Sequence, residues 1–159
     1  MPWTRLLSAR ARDVLYDLLV HVSWADGRIT PDELSAARGA ADALSMDTSS
    51  FGGLFGRVVV SLDAIGLEQL GPLERPLAYA AAVWMAMADQ ELAVSEHAVL
   101  RRARRALDLP EELAGRIELM SIQHARQGSL TAATSVDGCE HRQRSLETLL
   151  DQVSLAMLA

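Results

Sequence analysis

Trp24-Ala25-Asp26-Gly27-Arg28-Ile29-Thr30-Pro31-Asp32-Glu33 has a second, altered copy 63 positions later, Met87-Ala88-Asp89-Gln90-Glu91-Leu92-Ala93-Val94-Ser95-Glu96. Under that offset Asp26 meets Asp89, Ile29 meets Leu92, Glu33 meets Glu96, Leu44 meets Leu107 and Met46 meets Leu109. Each copy has an apolar helical stretch before the aspartate and an apolar residue three positions after it. A glutamate seven positions after it opens another helix. The chain therefore reads as two related helix-turn-helix units, at about residues 5–46 and 72–109, within an all-α, compact bundle of about seven helices.

The pattern around the first copy explains how such a unit is punctuated. Leu7, Ala11, Val14, Leu15, Leu18, Leu19 and Val22 recur at helical steps, which predicts one helix over 5–24. Gly27 suits the left-handed conformation that stops it. Thr30 is a good N-cap, Pro31 fits the first helical position, and Glu33 completes a capping box. Leu34, Ala37, Ala41 and Leu44 form a thin stripe, and small residues from Ala36 to Ala43 permit close helix approach.

Outward from this unit, Phe51 to Leu62 reads as helix despite Val58-Val59-Val60. Gly66 and Gly71 bracket a short piece, and Pro72 is expected to open the next helix. Leu77 to Met87 is a nearly continuous apolar run, as expected of a central helix. Residues 95–107 turn Val99, Leu100, Ala103, Ala106 and Leu107 inward. Another helix runs from Pro110 to about Gln127, completing an all-helical domain over 1–127. The small, polar stretch 128–140 reads as a flexible linker. Residues 141–159 form an amphipathic helix that packs on the core or on another subunit.

Composition narrows the function classes. Half of the 159 residues are hydrophobic but only 4% aromatic, and the formal charge is -6. An acidic balance argues against nucleic acid as partner. The single cysteine, Cys139, forms no internal disulfide and suits a reducing compartment. The most apolar window, Leu77 to Ala88, is about 12 residues and too short for a transmembrane segment. These features predict a cytoplasmic protein with peripheral membrane association only through a partner. Four histidines without ligand spacing, and no Ser-His-Asp-like set, supply no catalytic group.

Two sets of residues invite a functional reading. If the two turns pack about a local two-fold axis, Asp26, Glu33, Asp89 and Glu96 make an oxygen-rich cluster suited to Ca2+, Mg2+ or Mn2+. The spacing is not that of an EF-hand, and helix capping accounts for the same acids. Arg101, Arg102, Arg104 and Arg105 concentrate positive charge on one helix, either as a solvated face or as an interaction patch.

The signature Ala25-Asp26-Gly27, apolar Ile29, Glu33, with its echo Ala88-Asp89, Leu92, Glu96, resembles the TerB-like family of tellurite-resistance proteins. A related module occurs in DjlA-type membrane co-chaperones. The resemblance covers about residues 5–125 and departs at Gln90, where the motif has glycine. It implies a pseudo-duplicated all-helical fold and a stress-response role without established enzymatic activity, often discussed with metal binding. The leading expectation is a non-enzymatic interaction or scaffold module that requires no cofactor and engages a protein partner or another copy of itself. A divalent-cation sensor or sequestration protein is the alternative, with a metal-dependent hydrolase behind it.

Overall fold

The computed structural model describes residues 2–25, 27, 29–46, 61–88, 94–133 and 138–158. Among them are seven α-helices and no strand: α1 Pro2–Leu6, α2 Ala9–Ser23, α3 Pro31–Ala43, α4 Glu74–Ala86, α5 Val94–Ala106, α6 Glu111–Ala133 and α7 Gly138–Leu158. Two single 3-10 turns, Leu62–Ala64 and Leu67–Gln69, lead into α4. The reading of Phe51 to Val60 as helix lies outside the described residues.

The chain is an all-α bundle containing the expected duplication, and the described helix ends of the two copies coincide at the 63-position offset. α2 ends at Ser23 and α4 at Ala86, while α3 and α5 share a length of 13 residues. The cap residues Trp24 and Met87 each send their N–H back to equivalent carbonyls, Val20 and Val22 in one copy, Val83 and Met85 in the other.

The second helix of each copy also ends alike. Ser45 and Asp108 take left-handed φ values of 56° and 52°. Met46 N–H then reaches Ala41 O and Leu109 N–H reaches Arg104 O, while Ser45 and Asp108 donate to Asp42 and Arg105. This is the Schellman closure, built here without glycine.

One side chain closes each hairpin. Arg12, in the first turns of α2, donates from Nη1 to Leu44 O at 3.3 Å and from Nη2 to Thr4 O at 3.2 Å. Its equivalent Arg75, at the start of α4, donates from Nη1 to Leu107 O at 3.3 Å. Arg75 also reaches Leu70 O at 2.8 Å and Glu68 O at 3.1 Å. Each guanidinium thus supplies both a donor and a positive charge to the carbonyl end of the partner helix.

Helix α4 is the central helix, with every residue from Pro76 to Ala86 buried. It touches α2, α3, α5, α6 and α7. Alanines at 78, 80, 81, 82 and 86 let several neighbours come close at once, while Leu77, Tyr79, Trp84 and Met85 fill the space between them. Trp84 Nε1 donates to Ser145 Oγ at 3.1 Å, and Ser145 Oγ donates to His124 O at 2.7 Å, which links α4, α7 and α6.

The structure corrects several boundaries. The helix expected over 5–24 is broken at Leu7-Ser8, because Ser8 caps α2 by accepting from Ala11 N–H. Helix α4 starts at Glu74, since Glu74 Oε1 accepts from Gly71 N–H at 2.8 Å and caps the turn before it. The stretch expected as a linker is mostly backbone helix: α6 continues to Ala133 and α7 begins at Gly138. Ala106 is exposed, where an inward position was expected. Helix α7 buries Leu146, Leu149, Leu150 and Val153 and packs extensively on α6 and α3.

Replacing either Arg12 or Arg75 with Met removes a charged hydrogen bond to a helix end, so each variant is expected to lose roughly 1.5–3 kcal/mol of stability. Urea unfolding of both variants checks this. Equivalent geometry predicts losses of similar size, and a neutral result for both would show that the guanidiniums do not close the hairpins.

Candidate functional site

Of the four acids proposed as a cation cluster, Asp26 and Asp89 lie outside the described residues, as do Arg28, Gln90, Leu92 and Ala93. Glu33 and Glu96 are described, and both are buried, at 3% and 4% exposure. Glu33 makes the capping box: its N–H donates to Thr30 Oγ1 at 3.2 Å, and its Oε1 accepts from Thr30 N–H at 3.3 Å and from Thr30 Oγ1 at 2.9 Å. Among the described residues no three of His, Cys, Asp and Glu gather as metal ligands would.

A residue that the sequence did not single out enters this junction. Arg142 of α7 is buried, donating from Nη1 to Ala88 O at 3.3 Å and from Nη2 to Asp32 Oδ1 at 3.2 Å. It thereby joins the residue before Asp89 to the residue before Glu33. The guanidinium side of this ion pair is buried, while the Asp32 carboxylate is largely exposed.

The arginine set has a different environment. Arg101, Arg102 and Arg105 are exposed and Arg104 half-buried. Spacings of three and four residues bring them together on one side of α5. None of the four makes a hydrogen bond or ion pair among the described residues. Arg104 and Arg105 lie in the last turn, where positive charge complements the helix dipole. Arg101 and Arg102 stand earlier and have no such local use, and like charges at these spacings cost a few tenths of a kcal/mol per pair.

In the first copy the counterparts of Arg102 and Arg104, Gly39 and Ala41, are buried, while those of Arg101 and Arg105, Arg38 and Asp42, are exposed. Gly39 and Ala43 of α3 are buried, and α3 packs on α7. Their counterparts under the 63-position offset, Arg102 and Ala106, are exposed. The two copies therefore differ in cover along one strip, where α3 is buried at Gly39 and Ala43 and α5 carries the exposed Arg102.

Beside this face lie two concavities that share Arg101 and Arg104. One is a shallow shelf bounded by Arg105, Asp108, Leu109 and Glu111. The other is a cleft of about 240 Å³ between α4, α5 and α6, with Tyr79, Val83, Leu100 and Ile122 as apolar surface and His97 and Glu118 at its edge. Tyr79 Oη donates to Glu118 Oε1 at 2.5 Å. Burial, and then the hydrogen bond and charge of Glu118, push the Tyr79 phenol well above its ordinary range.

No helix among the described residues is long and apolar enough to cross a membrane. Comparison with protein families, with curated proteins and with solved structures yields no match.

Because the folded state holds the Tyr79 proton more tightly than the unfolded chain, its contribution to stability is complete below pH of about 10 and declines as pH rises further. A tyrosinate absorbance titration of the folded chain should retain a phenol fraction above pH of about 11, where an ordinary tyrosine is mostly ionised. Tyr79→Phe should remove that late fraction. Ionisation of both tyrosines of the folded wild-type chain with an ordinary midpoint near pH of about 10 would contradict the arrangement.

Proposed function

We propose that this chain is a non-enzymatic helical interaction module that recruits an acidic protein segment through the arginine face of α5. The observation that carries the reading is the set of four arginines on one side of α5, without an internal hydrogen bond or ion pair among the described residues, in a chain of net charge -6. Local positive charge on an acidic protein selects a compact acidic partner, since an extended polyanion would also meet the repulsion of the remaining surface. The TerB-like resemblance supports a place in a cytoplasmic stress-response assembly. Such a module acts by holding partners together and needs neither cofactor nor catalytic group.

The test is binding of a fluorescent peptide of alternating glutamate and glycine to the full chain. Saturable binding is expected to weaken at least tenfold between roughly 50 and 300 mM salt, because exposed charges are screened over such distances. Arg102→Glu/Arg105→Glu, at exposed positions, should abolish binding while leaving the melting temperature within a few degrees of wild type. Equal binding by wild type and the folded variant would overturn the reading.

A further inference from the structure

The cleft between α4, α5 and α6 adjoins the arginine face and differs from it in character. Its inner surface is apolar, formed by Val83, Leu100 and Ile122 with the ring of Tyr79. Its volume of about 240 Å³ lies below the roughly 300–1,000 Å³ typical of small-molecule and cofactor sites. That space suits one aliphatic side chain. Glu118 stands on the wall, hydrogen-bonded to Tyr79, so an anionic group entering the cleft would meet a carboxylate. Arg101 and Arg104 border both the cleft and the neighbouring shelf, and Arg105 lies on the shelf alone. Negative groups of a guest are therefore favoured outside, over the arginines, and an uncharged apolar group inside.

We infer that the recognised segment is an acidic peptide with a leucine-like residue among its carboxylates, the aliphatic side chain seated in this cleft and the carboxylates lying along Arg101, Arg102, Arg104 and Arg105. The inference rests on the arginine face being a docking surface, and adds to it an apolar anchor that sets register and selects among acidic sequences. Anchors of this kind carry much of the affinity at protein interfaces, with surrounding charges contributing to encounter and orientation.

Two peptides of equal length and charge separate the claims, one with a leucine at the centre of a glutamate-rich sequence and one with glycine there. Fluorescence anisotropy gives their Kd values on the full wild-type chain, on Ile122→Trp, which fills the cleft from a half-buried position, and on His97→Trp, which covers it from an exposed one. The expected result is at least tenfold tighter binding of the leucine peptide to wild type, with the ratio of the two affinities falling towards one in whichever filled variant retains the wild-type circular dichroism spectrum. Equal affinities on wild type would overturn the anchor and leave the arginine face standing, and so would a leucine preference that persists in a folded, filled variant. If neither peptide binds wild type, the arginine reading fails and the anchor fails with it.

Discussion

Two guanidinium groups hold the carbonyl ends of two helices, and the rest of the bundle is arranged around those two closures. Arg12 reaches from α2 to Leu44 O, and Arg75 reaches from α4 to Leu107 O. The last carbonyls of a helix have no partner within it, so an unfilled end near the core would be costly. Satisfying each end from the opposite helix fixes both the antiparallel pairing and the spacing of the hairpin. With both hairpins held alike, α4 is enclosed on all sides and its alanine-rich surface meets five neighbours.

Helix α7 breaks the equivalence of the two copies. It packs on α3, brings Arg142 to Ala88 and Asp32, and buries Leu146, Leu149, Leu150 and Val153. The small residues of α3 tolerate that close cover. At one position α5 carries Arg102 where α3 carries the buried Gly39, and a guanidinium under a packed helix would require desolvation without a partner. Divergence at this position and the one-sided cover are two aspects of one arrangement, which leaves Arg102 exposed beside Arg101 and Arg105.

Much of this fold was legible in the sequence, for definite reasons. The capping box of Thr30 and Glu33, the left-handed glycine at Gly27 and the apolar run from Leu77 are local patterns whose causes lie within a few residues, although α2 itself ends earlier, at Ser23. The break at Ser8 was hidden because apolar periodicity runs across it, from Leu7 to Ala11, and a single capping serine decides the matter. Composition suggested a linker at 128–140, yet no proline interrupts that stretch and the helical backbone continues through Ala133. The equivalence of Arg12 and Arg75 could have been read from the same 63-position offset that revealed the turns. By contrast, Arg142 meets Ala88 across 54 positions, and no local pattern announces that meeting. The arginine run was visible in the sequence, whereas its lack of hydrogen-bond and ion-pair partners among the described residues and the adjoining cleft are properties of the packed helices.

The most direct test of the account is a map of where an acidic segment touches the chain. The isotope-labelled chain would be titrated with a glutamate-rich peptide and followed by amide chemical shifts. Shifts are expected to concentrate at residues 97–105 of α5, with the equivalent positions 34–42 of α3 unchanged. Shifts centred on α3 or on the repeated turns, with α5 silent, would contradict it.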